Sequence, residues 1–549
     1  IRQTFNRRVL EAALLPSPSS GEGSLHLAFA IPDHPWVDSA DGAAVRIAMT
    51  VGAPGPGDGL LQTLQGEGGA DGDAVTVALA RKTGRIHADL SIGADVAGTK
   101  GLRANGGISS PGFKLHGAGF IVTLEEAERL HPSPSGGGAG GEGSRVDEPP
   151  LAPSSGPAGH LPPAGEGVIR PYRNGRDLTD KPRGVGVIDL YGLEADAVRQ
   201  RYPAIYQWVL ERVKPEREHN NRASYRDNWW VFGESRRDLR AALAGLPRYI
   251  ATVETAKHRV FQFLDAAIAP DNMLVCIALD DAYHLGVLSS SVHVVWALAA
   301  GGRLGMGNDP RYNKSRCFDP FPFPDATPEQ QARIRALAEE LDTHRKRVLS
   351  PPPQAGEGPG ERAGLTLTGL YNVLEKLRSG DPLSAKDKAI HEAGLVSVLK
   401  QLHDELDAAV LEAYGWKDLD PADTDALLDR LVALNTQRRR EEAAGLVRWL
   451  RPAFQNPAAQ TALAAETSSE TAVPVATPEP LAKQTWPATL PEQVAAVARV
   501  LAQTAVPLSE ADLAVRFTGK GTWKKRLPQL LDTLAALGRA RAVSGGWMG

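Results

Sequence analysis

The chain has 549 residues, a formal net charge of −4, 42% hydrophobic residues and two cysteines. That length suits three or four domains with real cores. The faintly acidic balance excludes a basic field over the whole molecule, so any nucleic-acid footprint has to be local. Cys276 and Cys317 are too few for a disulfide framework or a cysteine zinc site. No apolar run reaches the ~18 residues of a membrane span, and no secretory signal is expected. A reducing, cytoplasmic setting without a membrane partner is the expectation.

Residues 1–130 alternate helix and strand patterns. Phe5, Val9, Leu10 and Ala13 share one face of a helix over 1–14. Strands are predicted over His26–Ile31, ending at Pro32, and over Ala43–Val51, which fits part of an α/β sheet. Asp33, His34, Asp38 and Asp41 lie close in sequence but lack the paired spacing of metal ligands, so no metal site is expected. Ile1 stands inside a patterned element, which predicts a chain truncated from a longer gene product.

Three segments differ in flavour from their surroundings: 16–23, 132–167 and 351–361, each a Pro/Ser cluster followed by Gly-Glu-Gly. Such composition cannot bury apolar surface. They read either as one repeated element inserted into surface loops or as independent linkers. Residues 464–483, rich in Thr, Pro, Ser and Ala, read as a further linker.

Residues 168–177 are basic and turn-prone, a strand is predicted at Val185–Leu190, and a helix at Tyr202–Lys214. The following stretch to Trp230 mixes cations, amides and aromatics, which suits phosphate contact beside packing. Trp229 and Trp230 are expected to pack, and 211–222 to form a solvated face. Farther on, Met273–Leu279 reads as a strand, Tyr283–Leu288 as a second strand and Val292–Ala300 as a helix. A glycine-rich loop over 301–316 then carries Arg303, Arg311, Lys314 and Arg316 against Asp309. Its glycines permit close approach of backbone to a partner, and its Arg, Asn and Lys side chains are types that read phosphates and base edges. An ordinary solvated loop has the same composition. Helices follow at 329–347, 367–374, 395–416, 420–434 and 438–450, with apolar stripes that are core by default. Residues 486–548 suggest three helices, the second capped by Ser509, and a terminal hairpin.

Several words in this order are specific together: Pro247-Arg-Tyr-Ile-Ala-Thr252, Lys257-His-Arg259, Leu285-Gly-Val-Leu-Ser-Ser290, Gly302-Arg-Leu-Gly305, Gly307-Asn-Asp-Pro-Arg-Tyr312 and Phe321-Pro-Phe-Pro324. The stretch resembles the target-recognition region of MmeI-like (type IIL) restriction–modification proteins and their methyltransferase relatives. Arg170-Pro-Tyr-Arg-Asn-Gly-Arg-Asp177 resembles the entry to that region, Thr4–Arg7, His34–Trp36 and Ala43–Ile47 the end of the methyltransferase domain, and Thr366–Leu374 and Ala413–Trp416 the helical spacer.

The resemblance implies a mixed α/β and α chain. It implies a remnant of a Rossmann-like methyltransferase sheet (1–130), an α/β target-recognition domain (168–327) and a helical spacer bundle (328–457); composition adds inserts at 16–24, 131–167 and 350–363 and a linker (458–485), and three helices with a hairpin resemble a winged-helix domain (486–549). The family resemblance also implies double-stranded DNA as partner, together with an N-terminal catalytic portion, and S-adenosylmethionine as cofactor of the intact adenine-N6 methyltransferase. The duplex contacts it points to are Arg170, Arg173, Asn174, Arg176, Lys257, His258, Arg259, Arg303, Asn308, Arg311, Tyr312, Asn313, Lys314 and Arg316. His258 also fits a core histidine.

The chemistry itself is not in these residues. The Asn/Asp-Pro-Pro-aromatic loop that grips a flipped base has no match, because Asn308-Asp-Pro-Arg-Tyr312 lacks the second proline. Phe517-Thr-Gly-Lys-Gly521 has the letters of a cofactor turn but follows a helical stretch instead of a strand. The chain is expected to bind no cofactor alone and to be catalytically silent. The alternative is a non-catalytic specificity subunit working with a separate catalytic chain, and a decayed, fold-defective product is a third reading.

Overall fold

The computed structural model describes residues 4–14, 25–36, 45–68, 76–130, 167–304, 309–349, 365–457, 484–487, 489–502, 508–519, 523–536, 540–543 and 546–548. The chain divides into two compact units, 1–460 and 461–549.

The first unit opens with helix α1 (Thr4–Leu14) and strands β1 (Leu25–Trp36), β2 (Val45–Pro54), β3 (Gly59–Gly68) and β4 (Thr76–Gly84) in the order β2-β1-β3-β4. The pairs β1/β2 and β3/β4 are antiparallel, and only Phe29/Leu60 and Ala30/Leu61 pair in parallel. A doubly wound parallel arrangement is therefore not what these strands build. β1 does not stop at Pro32, as the sequence predicts, but continues to Trp36. Register breaks between Leu27 and Phe29 and between Ile31 and His34 let it pass the prolines, which cannot donate to the ladder. The small core here is Leu27, Ala30, Leu61, Ile86 and Leu90.

The main body holds two four-stranded sheets. β5 (Ser109–Pro111), β9 (Arg248–Val253), β10 (Phe261–Asp265) and β12 (Leu274–Ile277) form one, ordered β10-β9-β12-β5. β6 (Ile121–Val122), β7 (Ile169–Arg173), β8 (Gly186–Ile188) and β11 (Ala269–Pro270) form the other, ordered β11-β7-β8-β6. β12 is buried at all four residues, which explains its unbroken Leu-Val-Cys-Ile run. Helices α2 (Leu124–Leu130) and α3 (Gly175–Thr179) flank the second sheet, and α4–α8 occupy Ala195–Arg201, Pro203–Arg212, Lys214–Glu218, Ala223–Asp227 and Arg237–Leu243.

These pairings cut across the boundary drawn at 130. β5 pairs with β12, and β6 pairs with β8, so residues before the 131–167 run belong to the same sheets as residues after it. Because β8 lies between β6 and β7, both flanks of that run sit in one sheet. The run interrupts a fold instead of joining two. Residues 131–166 themselves lie outside the described residues.

Tyr283–Leu288 is not a strand but part of helix α9 (Ala282–Ser289), capped by Asp281, whose carboxylate accepts the Tyr283 N–H at 2.9 Å. Nearly every residue of α9 is buried, and all-round burial erases the polar face that marks a helix in sequence. Gly286 lets α9 lie against α11 (Pro328–Leu349), since a Cβ there would meet Ile334 Cγ2 at 2.5 Å. After α9, helix α10 (Ser291–Ala300) leads into a hairpin of β13 (Gly302–Leu304) and β14 (Asp309–Arg311) and a π-helical turn, Lys314–Phe318.

Helices α11, α12 (Leu367–Ser379), α13 (Ala385–Ala393), α14 (Val396–Ala413), α15 (Thr424–Ala443) and α16 (Pro452–Gln455) complete the unit. The two helices predicted over 420–450 are one, α15, through the Arg438–Arg440 run. A single apolar cluster extends from Val96 to Leu431, joining sheets and helices. At its centre Arg345 is wholly buried. It donates to the Phe261 carbonyl at 2.8 Å and the Tyr371 hydroxyl at 2.8 Å, and that hydroxyl lies 2.8 Å from His403 Nε2. Sheet and bundle thus share one interior. Among the described residues no single helix is long and apolar enough to cross a membrane.

The second unit has α17 (Leu490–Ala502), α18 (Glu510–Val515), α19 (Leu527–Ala536) and a hairpin of Arg541–Val543 with Gly546–Met548. Ser509 caps α18 in a reciprocal box with Asp512. Gln484–Thr485 pairs in parallel with Phe517–Thr518, a pairing the sequence does not suggest.

Candidate nucleic-acid interface

β7 ends at Arg173 and β9 at Val253, and α3 brings the two ends together. Gly175 makes this possible, since a Cβ there would meet Val253 Cγ1 at 2.9 Å. Asn174 caps α3: its Oδ1 accepts the Arg176 and Asp177 N–H groups at 3.0 and 3.1 Å, and Asp177 accepts the Asn174 N–H at 2.9 Å. Burial pushes the Asp177 carboxyl up, but hydrogen bonds from Arg183 and the Asn174 backbone outweigh it and the pKa falls below its ordinary value. Arg176 is exposed. Arg173 is half-buried, and desolvation lowers its guanidinium pKa.

The loop between β9 and β10 lies against β14. The Tyr312 N–H donates to the Glu254 carbonyl at 2.6 Å and the Ala256 N–H to the Pro310 carbonyl at 3.3 Å. The Arg311 guanidinium pairs with the Glu254 carboxylate at 2.5–2.8 Å. Lys257 is exposed; its Nζ donates to Asn372 Oδ1 at 2.6 Å and Glu375 Oε2 at 3.2 Å on α12. His258 Nε2 lies 2.8 Å from the same Asn372 oxygen, on a half-buried ring beside Tyr371. Segments 173–176, 254–259 and 309–311 therefore meet along one edge of the body, next to α12.

Three predicted contacts are taken up by the fold itself: Tyr312 and Arg259 are interior and Arg170 is half-buried. Tyr312 is 1% exposed and bonds His293 Nε2 at 2.9 Å. Arg259 is 7% exposed and donates to the carbonyls of Val253 and Pro310 and to Thr252 Oγ1. Burial lowers its pKa. Arg170 donates to the carbonyls of Ala266, Ala267 and Ile268 and pairs with Asp189. Their charge and hydrogen bonds lock the loops; they do not point to a solvent-borne partner. The same holds for Arg217, which sits in the stretch expected to be a solvated face. It is buried, with its guanidinium on the carbonyls of Leu115, His116 and Val231. Trp229 is buried and Trp230 half-buried, as expected.

The remaining candidates divide. Asn313 caps the π-helical turn, accepting from Ser315. Lys314 pairs with Asp319 and lines a separate cleft of about 410 Å³ beside Glu234, Arg236 and Arg237. Arg316 is half-buried. Arg303 belongs to β13, but its side chain and all of Asn308 lie outside the described residues. Glu254, Asn372 and Glu375 were missed as members of this surface. Asn372 and Glu375 are three apart on the polar side of α12, which sequence shows, but their partner is 115 to 118 residues away. Among the described residues no group of His, Cys, Asp and Glu could hold a metal ion.

The edge carries exposed and half-buried cations on short segments whose backbones are held by buried arginines and caps. Residues 164–325 match the family model for the MmeI target recognition domain. A 150-residue stretch, 27% of the chain, is 29% identical to DNA methyltransferase A of Bacillus subtilis (strain 168), and covers 13% of that protein. A solved structure of the type IIL restriction–modification enzyme MmeI in complex with DNA superposes with a TM-score of 0.51 at 18% identity, over 76% of this chain and 46% of that one. The chain thus spans less than half the length of these relatives. The chain is thus similar to MmeI in fold, and its residues 164–325 match the target recognition domain of that enzyme.

Proposed function

We propose that this chain carries the duplex-reading part of an adenine-N6 DNA methyltransferase of a restriction–modification system. One observation carries the reading: 173–176, 254–259 and 309–311 meet at one edge of a domain matched to target recognition. Arg173, Arg176, Lys257 and Arg311 would bind phosphates and fix register, while amide and guanidinium groups on the hairpin would reach base edges. In this reading 1–84 is the end of the methyltransferase domain, and the setting is the cytoplasm.

S-adenosylmethionine would be the methyl donor of the intact protein, but the residues present do not fit it. In Phe517–Gly521, Phe517 is buried against Trp486. A Cβ on Gly519 would meet Trp486 Cβ at 2.8 Å, so that glycine serves indole packing. The C-terminal unit is read as winged-helix-like, with exposed Lys524 and Arg526 available to phosphate.

A second reading, a specificity subunit serving a separate catalytic chain, is favoured by the continuous core of the body. A random duplex pool bound at two salt concentrations tests both. The expected outcome is enrichment of one short motif that survives added salt. Motif-free binding abolished by salt would mean phosphate contacts alone and would overturn the recognition reading.

A further inference from the structure

The matched domain ends at 325, yet the edge described above does not. Asn372 and Glu375, on α12, take hold of Lys257 and His258. Lys257 and Glu375 are both substantially solvent-exposed, at 53% and 64% of their side-chain surface. An exposed pair of this kind contributes little to stability and is screened by salt, so stability does not account for its place beside the loop. Asn372 differs: one amide oxygen receives both Lys257 Nζ and His258 Nε2, at 2.6 and 2.8 Å. Its neighbour Tyr371 reaches inward to the buried Arg345, whose other arm holds the β10 carbonyl of Phe261. The helix is therefore anchored in the shared interior and presents Asn372 and Glu375 outward to the loop. A parallel arrangement exists within the domain, where Glu254 holds Arg311. Two cations of this edge each rest on a glutamate.

We propose that α12 is part of the DNA-facing surface. Glu375 is a stand-in for a backbone phosphate: Lys257 rests on its carboxylate in the free protein and exchanges it for a phosphodiester oxygen on the duplex. Asn372 is a positioning residue that keeps the Lys257–His258 loop in place while the exchange occurs. The exchange costs one ion pair and forms another, so it lowers affinity for every sequence equally and leaves base reading to other groups. DNA contact in this chain thus extends into the helical bundle beyond the matched domain. This inference rests on the duplex-reading function proposed above.

The test is a double-mutant cycle in the full chain, with Glu375→Gln, Lys257→Met and the double variant, each titrated with the same duplex at low salt. Glu375→Gln is isosteric at an exposed site and leaves folding intact. It is expected to raise affinity roughly two- to five-fold in the parent and to do nothing in the Lys257→Met background. Lys257→Met is expected to flatten the dependence of log affinity on log salt by about 0.9. An equal gain from Glu375→Gln in both backgrounds would mean that Glu375 acts only through the general field, and overturns the proposal. No gain in either background overturns it as well. If the parent binds duplex but the cycle fails, only this inference falls; if the parent binds no duplex at all, the reading beneath it falls too.

Discussion

The region at 25–84 and the body from Val96 to Leu431 both contain four-stranded sheets and hold them in different ways. The sheet has strands of nine to twelve residues around a core of five buried side chains among the described residues. The body has strands of two to six residues, yet nearly all its large apolar side chains join one interior. Strand length therefore does not measure stability here; what lies across the sheet face does. Burial removes apolar area from water at about 25 cal/mol per Å²; among the described residues the sheet has one helix against its core, α1 through Leu10 and Leu14, whereas the body stacks many helices on its strands. It also uses charge inside: Arg217, Arg259 and Arg345 are buried with their guanidiniums on backbone carbonyls and hydroxyls.

Removing that internal charge damages the body most and leaves the 25–84 sheet intact. Arg345→Met leaves the Phe261 carbonyl and the Tyr371 and Ser289 hydroxyls without their donor. The expected cost is on the order of 4 kcal/mol, read by denaturant unfolding. Hydrogen exchange localises it: amides of β9, β10 and β12 lose protection, while those of β1–β4 keep theirs. Equal loss in both regions would mean that the two share one cooperative unit.

Acid separates the regions next. Burial pushes the pKa of His284 down to about 4 and of His293 to about 3. The unfolded chain then binds these protons more readily, so stability is lost as pH falls from about 6.5 toward 4, by on the order of 3 kcal/mol per histidine at the limit. Asp407 opposes this. Burial raises its pKa to about 6, so its contribution is greatest at low pH and declines as pH rises through about 6. Its Oδ1 accepts the Ser291 N–H at 2.6 Å, a bond that an amide oxygen retains. Asp407→Asn is expected to steepen the acid loss between pH 6 and 4.5, measured as melting temperature against pH. An unchanged slope would show that Asp407 titrates normally.

What the sequence reveals follows the same division. Helices with a polar side, such as α11 and α14, are legible because solvent writes their period. The helix α9 is not, because its burial leaves no polar face. The recognition words at 247–324 are legible as an ordered set, but the fate of each cation within them is not: Arg259 and Arg311 look alike in the chain, and one is interior while the other is half-exposed on Glu254. Burial of an arginine depends on carbonyls brought from elsewhere, and those are long-range facts. The same applies to the 131–167 run, which reads as a boundary by composition and proves to interrupt a sheet, because pairing of β6 with β8 leaves no local mark.

The smallest effect lies where the body meets the proposed DNA surface. Asn174 stands among the candidate contacts, but its Oδ1 already caps α3. Asn174→Ala is expected to cost about 1 kcal/mol of stability, whereas Asn174→Ser keeps an oxygen for the Arg176 and Asp177 N–H groups and stays within a few tenths of a kcal/mol of the parent. If capping is all that Asn174 does, the serine variant binds duplex as the parent does and the alanine variant loses affinity only as far as α3 frays. If the free amide Nδ2 contacts DNA, serine fails to restore affinity despite restoring stability. Measuring unfolding and duplex binding on the same two variants separates a residue that builds the edge from one that reads with it. Arg176, the second residue of the same helix and exposed, is the control, since its contribution should appear in binding alone.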